Sequence, residues 1–556
     1  MISEVNSNRS RLLHCFLTMF CLFAVAAACG GSPARAQTLA PVPPMGWNDW
    51  AHYQCGFTAE TILENAKALV ATGLAARGYH TVTIDDCWML KTRDAEGNLQ
   101  ADPARFPQGM KPLADAIHGL GLKFGIYEDA GSETCGRFAG SGWPQGGGQD
   151  HFVNDARLFA SWGVDYLKLD GCNVFTKNES ENLEAYRKAY AGEREALKSV
   201  GRTIVFSESA PAYFEFGPEW YDVLTWVRGY GELWREGDDI ANYSEKKPDE
   251  PRFASVLWNY NYNLPLGRFQ KPGNWNDADF VIGGDSGMSL AETRSQVALW
   301  AMMSSPLILS SDVAKLSPDA VAILGNRDVI GVDQDPLGRM ATLVRRTPAM
   351  DLLQKPLDGG ELAVAVLNRG DAAMEIQVRP DELGFAASDG CRLDARNLWT
   401  SERQAEATNL RAKIAAHDTA IWSVRPSAAC GAPARMGAIA MTAEKSKNAN
   451  DGYIRCLASP GKVEDCSGAA EEMWTVTARG ELKTADGCLA VAEGNPAMQK
   501  CSGSAAQKWG YTLAGNLVNE ASKLCLTAAK ASDAQQTVNA QACGHNQLNQ
   551  IWSLPN

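Results

Sequence analysis

The sequence predicts an α/β fold class: a (β/α)8 TIM barrel over residues 40–338, then an antiparallel β-sandwich over 341–425, a linker over 426–449 and a closed threefold β-domain over 450–556. Three observations predict it. Strand-like runs alternate with amphipathic runs from about 41 to 336. That alternation then gives way to short strands separated by Gly, Asp and Asn turns, and the C-terminal residues repeat one Cys-Leu/Cys/Trp unit.

Taken in order, the chain opens with Arg9 and Arg11, an apolar run over 12–28 and Ala34-Arg35-Ala36, which read as an export signal over 1–36. Ala26-Ala27-Ala28-Cys29 offers the lesser alternative of a lipid anchor at Cys29. A secreted or periplasmic protein is expected, and no later stretch is long and apolar enough for a membrane span. Strands are expected at 80–85, 122–127, 164–170, 202–207 and 223–228, with weaker ones near 274–282 and 306–310. Helices are expected at 58–72, 109–120, 149–162 and 182–200. A doubly wound sheet is the competing architecture, but no Gly-x-Gly-x-x-Gly follows the first strand, and the glycines at 140, 142 and 146–148 read as a plain loop. The sandwich strands are expected at 342–344, 362–367, 374–378, 392–398 and 419–424; the Ala, Ser and Pro content of 426–449 reads as a linker.

Composition bounds the function. A chain of 556 residues exceeds one core. A net charge of -13 and a pI near 5.2 argue against a nucleic-acid partner. The 16 Trp suit carbohydrate clefts and hydrophobic cores alike. Seven scattered His and the lack of Cys-x-x-Cys give no metal centre, and nothing indicates a cofactor. Of 15 Cys, Cys15, Cys21 and Cys29 lie in the leader, and the even remainder fits disulfides in an exported protein. The repeats Cys456…Cys466…Trp474, Cys488…Cys501…Trp509 and Cys525…Cys543…Trp552 make 456/466, 488/501 and 525/543 the natural pairs. No single unit could bury its own Trp, which is why a closed threefold arrangement is expected.

The chemistry centres on Lys168-Leu169-Asp170-Gly171-Cys172. Residues two apart on a strand point to one side, and the C-terminal ends of barrel strands carry the chemistry. A carboxylate beside an ammonium stays ionised, as a nucleophile must; an ordinary ion pair at a strand end is an equally open reading of these residues alone. The other strand ends carry Asp85-Asp86-Cys87-Trp88, Tyr127-Glu128-Asp129, Ser207-Glu208-Ser209-Ala210-Pro211-Ala212-Tyr213 and Trp234-Arg235-Glu236-Gly237-Asp238-Asp239. Any one could be a helix cap. Carboxylates and hydroxyls at every end suit a polyhydroxylated ligand.

Pro44-Met45-Gly46-Trp47-Asn48, Ile84-Asp85-Asp86-Cys87-Trp88, Gly125-Ile126-Tyr127, Lys168-Leu169-Asp170-Gly171-Cys172, Trp234-Arg235…Asp239, Asn274-Trp275-Asn276-Asp277 and Asp333-Gln334-Asp335-Pro336-Leu337-Gly338 together resemble glycoside hydrolase family 27, the α-galactosidase and α-N-acetylgalactosaminidase family, over about 40–424. Residues 450–556 resemble a ricin-type β-trefoil lectin module, which implies a glycan ligand there, although the Asp that commonly follows Cys-Leu is Ala458, Ala490 and Thr527 here. The resemblance implies retaining hydrolysis of a terminal α-galactoside by two carboxyl groups about 5 Å apart. It makes Asp170 the nucleophile and Asp239 the acid and base, with Asp238 and Glu236 close enough that a slip in register would change the choice. It makes Asp85 and Asp86 the grip on O4 and O6, Tyr127, Lys168, Cys172 and Arg235 further sugar contacts, and Trp47 and Trp275 pocket walls. It pairs Cys135 with Cys172 and Cys55 with Cys87. At C2 of the sugar it places Ser209 and Ala212, small residues that would admit an N-acetyl group, while Glu208 one residue away would restore a galactose-type acid. The expected function is therefore an α-galactosidase, with the α-N-acetylgalactosaminidase as alternative and a non-catalytic carbohydrate-binding protein as the alternative of another class. The oligomeric state is not legible.

Overall fold

The computed structural model describes residues 38–142, 150–174, 179–386, 390–442, 454–529 and 536–555; the expected export leader lies outside them. Eight parallel strands form one sheet: β1 (Met45–Asn48), β2 (Thr81–Ile84), β3 (Lys123–Asp129), β4 (Tyr166–Asp170), β5 (Val205–Glu208), β6 (Leu233–Arg235), β7 (Trp275–Asp277) and β8 (Leu307–Leu309). Their order is β7-β6-β5-β4-β3-β2-β1-β8, and a parallel bridge from Val281 to Leu309 closes the barrel. Side chains alternate across each strand, so register decides what faces the axis. Tyr127, Lys168 and Ser207 lie side by side on β3, β4 and β5, and Asp129 lies beside Asp170.

Several helices begin where a side chain satisfies free backbone N–H groups. Thr58 caps Ala59–Ala71, and Ser289 with Glu292 forms a capping box on Leu290–Met303. The run 223–228, expected as a strand, is instead the end of helix Trp220–Trp226 and a 3-10 turn Val227–Gly229. Its buried residues Trp220, Tyr221, Val223, Leu224 and Val227 follow a helical spacing that the β-branched and aromatic composition hides. The strand itself is β6, whose three residues are too few to show a pattern.

The sandwich comprises β9 (Thr342–Arg346), β10 (Met350–Pro356), β11 (Leu362–Asn368), β12 (Met374–Val378), β13 (Leu393–Asn397), β14 (Arg403–Ala407), β15 (Leu410–Ile414) and β16 (Thr419–Pro426). Six of them form a sheet in the order β14-β13-β16-β11-β10-β9 over the β12-β15 pair, with Val364, Val366, Ile376, Trp422 and Val424 between the layers. Part of the expected linker is ordered: β17 (Met436–Ala438) pairs with Met473–Val476, and β18 (Ala440–Thr442) pairs with Ile454–Ala458. Small residues read as a flexible linker because Gly437 and Ala438 carry little pattern, yet small size is what lets the strand pack: a Cβ on Gly437 would sit 2.7 Å from the Leu343 carbonyl oxygen.

In the trefoil the three Trp are core. Trp474, Trp509 and Trp552 donate their indole N–H to the carbonyls of Leu457, Leu489 and Leu526 at 2.6, 2.9 and 2.9 Å. This explains the Cys-Leu/Trp repeat, since each buried indole needs a partner for its N–H. The disulfides are Cys55–Cys87, Cys135–Cys172, Cys391–Cys430, Cys456–Cys466, Cys488–Cys501 and Cys525–Cys543.

Candidate active site

Asp170 ends β4 at the barrel's C-terminal mouth. Its Oδ1 accepts the Tyr213 hydroxyl at 2.5 Å and the Gly171 N–H at 3.0 Å, and its Oδ2 accepts the Tyr127 hydroxyl at 3.2 Å. Donors on both oxygens fix the carboxylate plane and stabilise its charge. Lys168, two residues back on the same face, does not pair with it: its ammonium donates to Asp85 Oδ2 at 2.8 Å. It also lies 5.1 Å from the ring centres of both Tyr127 and Phe280. Burial alone would lower the Lys168 pKa, but the carboxylates of Asp85, Asp170 and Asp239 outweigh it and hold the ammonium charged. One cation thus lies in electrostatic reach of both Asp170, at the end of β4, and Asp239, in the loop after β6.

Asp239 follows β6. Arg235, buried at the end of that strand, donates through Nη2 to the carbonyls of Gly237 and Asp238, both at 2.9 Å, and to Asp239 Oδ1 at 3.2 Å; its Nη1 is 3.0 Å from Asp279 Oδ1. One guanidinium therefore shapes the turn and orients Asp239, whose side chain is 72% exposed. The two neighbouring acids are placed differently. Glu236 is fully buried and accepts from Asn263, and Asp238 accepts the Trp258 indole N–H at 3.0 Å.

Asp85 and Asp86 are buried together after β2. Asp85 Oδ2 receives Asn48 Nδ2 at 2.7 Å as well as Lys168, while Asp86 accepts the N–H groups of Cys87 and Gly136 at 2.6 and 2.7 Å. Burial raises the Asp86 pKa against these bonds. Cys172 is held by its disulfide to Cys135 and by its own N–H, which donates to Asp129 at 2.9 Å. Tyr127 N–H···O pairing within the sheet and its hydroxyl together tie β3 to the mouth.

Trp47 is fully buried near the end of β1, its indole N–H donating to the Ser311 carbonyl at 2.9 Å. Trp275 is not a pocket wall. It opens β7 at the N-terminal end, opposite the mouth, packs with Tyr166 and Leu233, and donates to the Ala40 carbonyl. The motif places it by sequence next to site residues, but it pairs with Leu233 at the start of β6 while Asp277 pairs with Arg235 at its end.

Ser209 and Ala212 lie in the turn after β5, where Ala212 N–H donates to the Ser209 carbonyl at 3.1 Å. Glu208 sits in register with Leu169, hence on the opposite face from Ser207 and Lys168. It is fully buried against Gly231, Glu232 and Arg194, and burial with the Glu232 charge raises its pKa.

Three residues that sequence reasoning missed complete the mouth. Tyr213 lies in the 3-10 turn after β5, where no motif marks it. Asp279 lies two residues beyond Asn276-Asp277, and its Oδ2 accepts the Ile240 N–H at 2.7 Å. Asp49 accepts the Asp85 N–H at 2.8 Å, and enclosure beside Asp85 raises its pKa well above the usual carboxylate range. Among the described residues, Asp129, Asp170, Cys135 and Cys172 bring metal-type donor atoms together, but both sulfurs are spent in the disulfide.

Comparison with known proteins agrees with this architecture. A family model described as Alpha galactosidase A matches residues 42–335, one for the alpha galactosidase C-terminal beta sandwich domain matches 347–424, and one for the ricin-type beta-trefoil lectin domain matches 447–552. The chain is similar to the probable alpha-galactosidase A of Aspergillus clavatus, 38% identical over 525 residues that cover 93% of this chain and 94% of the relative. It is 36% identical to the alpha-galactosidase A of Aspergillus niger over 93% of this chain and 92% of that one. The solved structure of alpha-galactosidase I from Mortierella vinacea superposes with a TM-score of 0.61 at 30% identity, over 70% of this chain and 98% of that chain. The barrel and the sandwich thus have their counterparts in known proteins, and the chain belongs to the α-galactosidase family of glycoside hydrolases, family 27, with a C-terminal ricin-type β-trefoil.

Proposed function

We propose that this enzyme is an exported, retaining exo-α-galactosidase in which Asp170 is the nucleophile and Asp239 the acid and base. The observation that carries the reading is the single ammonium of Lys168 in electrostatic reach of Asp85, Asp170 and Asp239 at one barrel mouth. In the first step an Asp170 carboxylate oxygen bonds to the anomeric carbon while the glycosidic C–O bond breaks, and the leaving oxygen takes the Asp239 proton. In the second, Asp239 removes a proton from water, the water oxygen bonds to the anomeric carbon, and the bond to Asp170 breaks. Tyr127 and Tyr213 hold the nucleophile's plane, and Arg235 holds the acid over the mouth.

Asp85 with Lys168 and Asp86 form the proposed grip on the axial O4 and on O6, a polar pair that would lose its partners with a sugar lacking those hydroxyls. Trp47 and Cys172 remain proposed contacts around the ring. The disulfides support an extracytoplasmic location, and none of the described helices is long and apolar enough to cross a membrane. A glycan ligand of the trefoil would have to be held by residues other than its three core Trp.

A second reading, an α-N-acetylgalactosaminidase, is favoured by the position of Glu208. It faces away from Lys168, leaving the small Ser209 and Ala212 for the space beside C2. Hydrolysis of para-nitrophenyl α-galactoside and its α-N-acetylgalactosaminide decides between the two: the proposal expects the galactoside to have the higher kcat/KM, and the opposite ratio would establish the second reading. Cleavage of neither, by wild type, would leave a non-catalytic sugar-binding protein.

A further inference from the structure

Glu215 lies just past the turn that carries Ser209 and Ala212, against the β6 loop. A Cβ on Gly237 would meet its Cδ and Oε1 at 2.8 Å and the Tyr262 ring at 2.9 Å, so this side chain packs closely against the loop. Its carboxyl faces the carboxyl and the backbone N–H of Asp238, and its Oε1 is buried without a hydrogen-bond partner. Two carboxyl groups so placed can attract each other only with a proton between them. Burial and the neighbouring Asp238 push the Glu215 pKa up to about 9, so that proton is held at neutral pH.

The surrounding charges are few. Arg235 reaches Glu215 electrostatically, but its Nη2 is committed to the Gly237 and Asp238 carbonyls and to Asp239. From the helix Phe253–Asn263, Tyr262 gives its hydroxyl to the Asp238 carbonyl at 3.2 Å and Trp258 gives its N–H to Asp238 Oδ2. Asp239 itself faces Arg235, Asp279 and Lys168.

We propose that Glu215 is a positioning residue for Asp239: sharing one proton with Asp238, it clamps the turn from Gly237 to Asp239 so that the acid is aimed at the leaving oxygen. The inference rests on Asp239 being the acid. Without the clamp, the Asp238 carboxylate keeps its Trp258 contact but loses its donor on the other side, and the turn gains freedom one residue before the acid.

The test compares Glu215→Gln, which keeps a neutral hydrogen-bond donor, with Glu215→Ala, which does not, on two substrates: melibiose, whose leaving group needs a proton, and 2,4-dinitrophenyl α-galactoside, whose leaving group does not. Glu215→Gln is expected within about threefold of wild type on both. Glu215→Ala is expected to lose about tenfold or more in kcat/KM on melibiose and far less on the aryl galactoside, as loss of aim by a general acid requires. Equal losses on both substrates, or a Gln variant as impaired as Ala, would overturn the proposal. Asp239→Ala is the control: if it too shows no leaving-group dependence, the assignment of the acid has failed rather than the role of Glu215.

Discussion

The Lys168 ammonium and the Asp85 carboxylate meet at 2.8 Å with side chains only 10% and 2% exposed. Each would be a costly buried charge alone, so the pair is held by mutual need rather than by net stabilisation. It also joins β2 to β4 across the mouth and supplies the cation that Asp170 and Asp239 share.

Lys168→Met should therefore cost about 3–5 kcal/mol of stability, read by urea denaturation, because the buried Asp85 carboxylate keeps its neutral donors, Asn48 and the Asp86 N–H, but loses its cation. A loss below about 1 kcal/mol would mean that water reaches Asp85 freely and that the mouth is more open than its burial implies.

Burial raises the Asp277 pKa to about 7 despite the nearby Arg235. The folded chain then keeps a proton on Asp277 from about pH 4 to 7 that the unfolded chain releases, so this group's contribution to stability falls as pH rises through that window, by about 1.4 kcal/mol per unit. Asp277→Asn lacks the titration. Its stability relative to wild type should rise between pH 4 and 7 and level off above; a difference independent of pH would contradict the assignment.

Much of this was legible from residues, and the reason lies in strand-end chemistry. Lys168 to Cys172 stand out because an apolar strand ends in charges, and Trp234-Arg235 fixes the register of Asp239. Tyr213, Asp49 and Asp279 were not legible, since each is an isolated polar residue in a loop whose path only the fold determines. Trp275 misled for the converse reason: its motif neighbours are near the axis, but it opens β7 at the closed end. The helix Trp220–Trp226 looked like a strand because its core face is built of Trp, Tyr and Val.

The Cys135–Cys172 bridge closes a separation of 37 residues and holds the loop after Asp170. Replacing both cysteines by serine should lower stability by about 2–4 kcal/mol and reduce kcat more than it raises KM, since the loop after Asp170 loses its anchor. Unchanged kcat would show that Asp129 and the tyrosines suffice to hold it.

Trp552→Ala should destabilise the trefoil by about 3–5 kcal/mol while leaving kcat on para-nitrophenyl α-galactoside unchanged, because the ring fills the C-terminal core and its N–H serves Leu526. A variant that keeps its stability but loses binding to immobilised galactose would instead make this Trp a sugar platform.

The central claim, that Asp170 forms the bond to the sugar, is tested most directly by mass spectrometry after reaction with 5-fluoro-α-galactosyl fluoride, which slows release of a glycosyl-enzyme. The account predicts one added fluorogalactosyl group, located by peptide fragmentation on Asp170 and absent from Asp170→Asn. A label on another residue, or turnover with inversion and no label at all, would contradict it.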